Sequence, residues 1–165
     1  MQEGPCSCYN TIRIGEDFCK VIRGAAMKIS TKGRYGLTMM IELAKHHGEG
    51  PLSLKTIAQR KELSEHYLEQ LATPLRNAGL IKSIRGAYGG YLLTKPAEKI
   101  TAGDVIRVLE GPITPVEGIE DEDPAKQALW MRVRDAVKDV LDTTTLKDLV
   151  DHDHTEKQEA YMFYI

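Results

Sequence analysis

The chain has 165 residues, 42% of them hydrophobic and 28% charged, with a formal net charge of −2. That length bounds it to one compact unit, or a small domain with an appendage, and supplies enough apolar residues for a core. No apolar run approaches the roughly 18 residues of a membrane span, and no apolar stretch followed by a small-residue cleavage site opens the chain, so a cytoplasmic location is the default expectation.

The small net charge hides a division. From Lys28 to Lys95 there are 11 Lys/Arg against 5 Asp/Glu, a net of +6; from Thr101 to Ile165 there are 7 against 15, a net of −8. A basic block suits contact with phosphate, and an acidic block suits solubility, repulsion of DNA or a partner; two solvated surfaces would look the same. Cys6, Cys8 and Cys19 all lie in the first 19 residues. No disulfide can therefore staple the core, and their spacing, with no His nearby, fits no common zinc pattern.

Residues 1 to 26 lack sustained periodicity and end in Gly24-Ala25-Ala26. The organised pattern begins at Met27, which reads as the natural start; the leader is then an upstream extension or a loosely ordered arm. A first helix is predicted from about Thr31 to His47, with Tyr35, Met39 or Met40, and Leu43 at helical spacing and Leu37, Ile41 and Ala44 widening the stripe. Gly48-Glu49-Gly50-Pro51 stops it. Ser53 caps a short helix, Leu54 to Gln59, and Ser64 caps a third that reaches Asn77 on the stripe Tyr67, Leu68, Leu71, Leu75. Pro74 predicts a kink or a break, and Gly79 the stop.

Two strand-like runs follow, Leu80 to Arg85 and Tyr91 to Thr94, around Gly86-Ala87-Tyr88-Gly89-Gly90, which predicts a β-hairpin. Three helices and then a hairpin is the order of a winged helix. Thr101 and Asp104 resemble a capping box opening a helix that ends near Glu110. Gly111 to Asp123 is a loop with two prolines and five acidic residues. Asp123-Pro124 opens the longest late helix. Its stripe of Trp130, Val133, Val137, Val140 and Leu141 needs a second surface, either another copy of the chain or its own winged domain. Thr145 to Val150 adds a last turn, and residues 151–160 look solvated. The expected fold is thus mainly α with a small β-hairpin wing: residues 27–100 form a winged helix-turn-helix, 101–150 the dimerisation helices with the acidic loop 111–123, and 151–165 a tail.

In a helix-turn-helix the second helix of the motif enters the major groove and its first residues reach base edges. Here these are Ser64, Glu65, His66, Tyr67 and Gln70; Glu can accept from a cytosine amino group and Gln can pair with adenine. Tyr67 sits at apolar spacing and serves a core role equally well. Phosphate contacts are expected at the entry of the first helix, at Lys28, Thr31, Lys32, Arg34 and Tyr35, where exposed amides attract anions. They are also expected on the wing, at Lys82, Arg85, Tyr88 and Tyr91, with Arg85 suited to the minor groove. The wing glycines fit close approach to DNA or simply a tight hairpin. No P-loop and no nucleophile–base pairing is legible, so no enzymatic activity is expected. Asp151-His152-Asp153-His154 reads as solvated tail rather than a cation site, and His46-His47 complement a helix C-terminus.

Four groups of strings are diagnostic: Met27-Lys28-Ile29-Ser30-Thr31-Lys32-Gly33-Arg34-Tyr35-Gly36; Leu68-Glu69-Gln70-Leu71 with Leu75-Arg76-Asn77-Ala78-Gly79-Leu80-Ile81; Arg85-Gly86-Ala87-Tyr88-Gly89-Gly90-Tyr91; and Ala128-Leu129-Trp130 with Thr144-Thr145-Leu146. On these the chain from Met27 to Ile165 resembles the Rrf2 family of winged-helix regulators. The resemblance implies a homodimer that binds double-stranded DNA. Family members with an iron–sulfur cluster carry three cysteines in the loop before the long helix; here that loop has none, so no cofactor and no metal is expected. The loop Glu110-Gly111-Pro112-Ile113-Thr114-Pro115-Val116-Glu117 and the ending Tyr161-Met162-Phe163-Tyr164-Ile165 are similar to the branch of the family that represses cysteine and sulfur metabolism genes in Gram-positive bacteria. That similarity implies a complex with cysteine synthase (O-acetylserine thiol-lyase). Tyr164 and Ile165 are its expected docking residues, by likeness to serine acetyltransferase, which inserts an Ile terminus into the synthase active site. The alternative is an iron–sulfur or thiol-based redox sensor of the same family, with Cys6, Cys8 and Cys19 supplying thiolates.

Overall fold

Ser30 opens the first element. In the computed structural model, which describes residues 29–86, 88–112 and 123–153, its hydroxyl accepts from the backbone N–H of Lys32 at 3.1 Å and of Gly33 at 3.5 Å. This cap starts α1, Thr31–Lys45. The helix ends two residues before the expected His47, because His46 already leaves helical geometry and Gly48 turns the chain at φ +96°. α2, Leu54–Lys61, begins on the expected Ser53 cap and runs past Gln59 to Glu62, whose left-handed φ of 53° ends it.

α3, Glu65–Asn77, begins on Ser64 and is continuous through Pro74. Of the expected kink or break, the break is absent for a local reason. Pro74 stands near the C-terminal end, where its missing N–H frees one carbonyl only, and Leu71, Ala72 and Leu75 are buried on either side of it. Gly79, at φ +73°, then terminates the helix: its N–H bonds Arg76 O at 3.0 Å and Leu80 N–H reaches back to Leu75 O at 3.0 Å.

The hairpin pairs β1, Ile81–Ile84, antiparallel with β2, Gly90–Leu93, in the register Ile81 with Leu93 and Ile84 with Gly90. Leu52 adds a bridge on the far side of β2. Its N–H bonds Tyr91 O at 3.0 Å and its carbonyl accepts from Tyr91 N–H at 2.9 Å. Gly90 permits this approach, since a Cβ there would overlap the Leu52 carbonyl.

α4, Ala102–Glu110, opens with the expected capping box, Thr101 and Asp104 each accepting the other's backbone N–H at 3.1 Å. It packs against α1 and α3. Val105, Ile106 and Leu109 are buried there, and Val105 and Leu109 share the core of Met39, Met40, Leu68 and Leu71. The helix placed by sequence in segment 101–150 therefore lies in one core with the helices of segment 27–100. α5, Pro124–Thr143, begins with Asp123 at the cap position, although the Asp123 side chain makes no capping bond. Thr144 O accepts from Ala102 N–H at 2.8 Å, and Leu146, fully buried, donates its N–H to Ile100 O at 2.9 Å. A last helical stretch covers 146–153 and is capped by Thr145 with Asp148.

Among the described residues one charged side chain is buried. Glu42 on α1 is buried, with Lys45 and Lys61 ammonium groups each at 3.1 Å and the Arg60 guanidinium at 3.9 Å. Lys45 also holds Asp153 at 2.6 Å. The cluster joins α1, α2 and the stretch 146–153.

Candidate nucleic-acid interface

α3 is two-faced. Leu68, Leu71, Ala72 and Leu75 are buried, whereas Ser64, Glu65, His66 and Gln70 are exposed. The turn Glu62–Ser64 after α2 places α3 as the second helix of a helix-turn-helix, so this polar face begins at the end expected to meet bases. His66 Nε2 lies 3.2 Å from Gln70 Nε2, and His66 Nδ1 lies 3.7 Å from Glu69 Oε2. Glu69 was not among the residues picked out by sequence. It is exposed, and its spacing of three from His66 on the polar face was the available signal.

Tyr67 and Tyr35 are half-buried and meet edge to face, with centroids 5.9 Å apart and planes at 86°. Tyr35 was expected at a phosphate, and Tyr67 equally at DNA or in the core. Their rings join α1 to α3, so the apolar part of each has a packing role and only the remaining surface is available to a ligand.

At the entry of α1, Thr31, Lys32 and Arg34 are exposed; Lys28 lies outside the described residues. The amides expected to receive phosphate there are already engaged. Glu110 Oε1, from the end of α4, accepts from Ser30 N–H at 2.9 Å, Ser30 Oγ–H at 2.9 Å and Gly33 N–H at 3.0 Å. The physical reason is the one that suggested phosphate, since a helix N-terminus attracts negative charge; here the chain supplies its own.

On the wing, Lys82, Arg85 and Tyr88 are exposed, Tyr88 at 95%. Tyr91 is half-buried and its backbone is committed to Leu52. Among the described residues Lys32, Arg34, Lys82 and Arg85 form no ion pair, whereas Lys45, Arg60 and Lys61 are spent on Glu42. The cations at α1 and the wing thus keep their charge for an external anion.

Among the described residues nothing fully buries the stripe on α5. Trp130, Val133, Val137 and Leu141 are half-buried and Val140 is 61% exposed. Leu129 and Met131, which sequence did not pick out, are also exposed. The C-terminal end of α5 is fastened to α4 by Arg107, which bonds Asp142 at 2.5 Å and lies 3.8 Å from Asp104. Tyr164 and Ile165 lie outside the described residues.

Three helices, a helix-turn-helix within them and a two-stranded wing define a winged helix-turn-helix DNA-binding protein. Residues 29–152 match the Rrf2 family model, described as an iron-dependent transcriptional regulator. The chain is 74% identical over 139 residues to the HTH-type transcriptional regulator CymR of Bacillus subtilis, covering 84% of this chain and all of that one. It is 42% identical over 132 residues to the protein rrf2 of Nitratidesulfovibrio vulgaris, covering 75% of this chain and 87% of that one. Among solved structures it matches that of B. subtilis CymR, described as a global cysteine regulator, with TM-score 0.73 over 76% of this chain and 97% of that one. It matches T. potens IscR with TM-score 0.66 at 46% identity, over 83% and 96%. The chain belongs to the Rrf2 family of transcriptional regulators, and the relatives it matches are regulators rather than enzymes.

The family description names iron; the thiols Cys6, Cys8 and Cys19 lie outside the described residues. The loop Gly111 to Asp123 contains neither Cys nor His. Among the described residues no group of three or more His, Cys, Asp or Glu side chains could hold a metal ion. Among them, too, no helix is long and apolar enough to cross a membrane.

Proposed function

We propose that the chain is a homodimeric repressor of cysteine and sulfur metabolism genes that acts with cysteine synthase. The observation that carries this is the exposed polar face of α3 beside unpaired cations on α1 and the wing, in a chain 74% identical to a cysteine regulator. Ser64, Glu65, His66 and Gln70 read base edges, while Thr31, Lys32, Arg34, Lys82, Arg85 and Tyr88 hold the backbone. The stripe on α5 supports the dimer, because an amphipathic helix of this length buries its apolar face somewhere and, among the described residues, the winged core leaves it only half-buried.

Cysteine synthase reports cysteine status, and Tyr164 and Ile165 are assigned as its docking residues. Abundant O-acetylserine then competes with the docked segment and relieves repression. Calorimetry with the synthase, run beside DNA binding to promoters of cysteine and sulfur genes, tests this. Deleting Ile165 is expected to abolish the synthase complex and spare DNA binding by the repressor alone. Unchanged synthase binding would exclude the tail as the anchor, and failure to bind those promoters would exclude the regulatory role.

A further inference from the structure

Glu110 and Ser30 stand eighty positions apart, yet they meet in a close polar junction at the start of α1. One carboxylate oxygen takes the Ser30 N–H, the Ser30 hydroxyl and the Gly33 N–H, all within 3.0 Å. Ser30 already caps α1 through Lys32 N–H, so a distant carboxylate is not needed simply to start the helix. The seat is also shaped for it. Gly33 is buried, and a Cβ at that position would overlap Glu110 Oε1. Around the seat Thr31, Lys32 and Arg34 point outward.

We propose that Glu110 is a positioning residue for DNA binding: seated on Ser30 and Gly33, its carboxylate closes the end of α1 to phosphate and fixes how Thr31, Lys32 and Arg34 meet the DNA backbone. The inference rests on the assignment of α1 to the DNA-facing surface. Its chemistry is competition for one anion seat. With the carboxylate in place, backbone contact is made by side chains in a single register. With it withdrawn, the amides become a second phosphate site and one negative charge leaves the surface. Both changes favour binding to any duplex and neither helps base readout, so selectivity falls.

The test uses the full chain and three variants: Glu110→Ala, Glu110→Gln and Gly33→Ala. Affinity is measured for a selected operator and for an unrelated duplex of equal length, each over a salt series, with melting curves alongside. Glu110→Ala is expected to lower the ratio of specific to non-specific affinity about tenfold and to steepen the salt slope on unrelated DNA by about one phosphate contact. Glu110→Gln keeps an acceptor oxygen in the seat and is expected to retain most of the selectivity. Gly33→Ala keeps the negative charge but expels it from the seat, and is expected to lose selectivity as Glu110→Ala does. If Glu110→Ala changes only the melting temperature, leaving selectivity and salt slope intact, Glu110 is a helix cap and the proposal fails. A separate control addresses the underlying assignment: unchanged affinity in Arg34→Ala would show that α1 does not face DNA.

Discussion

Glu42 is where a single residue carries the most structural consequence. Burial pushes its carboxyl up, but hydrogen bonds from Lys61 and Lys45 outweigh that and hold it below the ordinary value of 4.5. Burial likewise pushes Lys45 down, and its bonds to Asp153 and Glu42 override the effect and raise it. The sign for Glu42 follows. A carboxyl depressed in the folded state contributes stability that is complete above the unfolded value and is lost as pH falls through the folded value. Wild-type protein is therefore expected to lose stability below about pH 4.5 more steeply than Glu42→Gln, by denaturant titration across an acid series. At neutral pH Glu42→Gln is expected to be less stable by roughly 2 kcal/mol. That is less than the ~3–5 kcal/mol of a fully buried broken pair, because Lys45 and Lys61 keep contact with water. None of this was legible in the sequence, where Glu42 is one acid on an amphipathic helix, its partner Lys61 stands on another helix and Asp153, the second partner of Lys45, is far along the chain. The candidate base-reading residues were legible, because exposure on α3 follows directly from the stripe Leu68, Leu71, Leu75. Glu110 was not, since its partners at Ser30 and Gly33 depend on how α4 lies against α1.

At the scale of elements, the caps were readable because capping is local. Ser53, Ser64 and the Thr101–Asp104 box each bond an amide three residues on. Of the kink or break expected at Pro74 the break is absent, because Pro74 stands near a helix end, where one lost bond costs little. Gly79→Ala is expected to destabilise the protein by about 1 kcal/mol, since φ +73° strains any residue with a Cβ and the bonds to Arg76 and Leu75 depend on it. A drop in melting temperature of several degrees checks this. The bridge between Leu52 and Tyr91 was invisible in sequence, because a single residue before α2 has no strand periodicity. For α5, Val140→Asp places a charge at the most exposed position of the stripe. It is expected to convert a dimer to monomer in sedimentation experiments while leaving the melting of the α1–α4 core largely unchanged, because Val140 touches none of that core. A variant that sediments as wild type would show that the stripe is not the dimer contact.

For the whole molecule, the division between a basic and an acidic half is the feature that sequence showed best and that the fold makes interpretable. Among the described residues Lys32 and Arg34 of α1 and Lys82 and Arg85 of the wing form no ion pair, while α5 and the stretch after it are tied to the winged core through Arg107–Asp142 and Lys45–Asp153. Replacing Arg34 or Arg85 by Ala is expected to weaken binding to all duplexes alike and to reduce the salt slope by about one. Replacing Gln70 by Ala is expected to change which bases are preferred, with a cost of about 1–3 kcal/mol at one position of the site. Binding isotherms on operator and scrambled DNA separate the two classes. The most direct measurement is selection of bound DNA from a random pool, followed by footprinting of the enriched sequence. Two recognition helices related by a dyad predict an inverted repeat, with half-sites roughly one helical turn or a multiple of it apart and protection on one face of the duplex. A pool that enriches only a single asymmetric site, or none, bound by a monomer with affinity indifferent to salt, would contradict it.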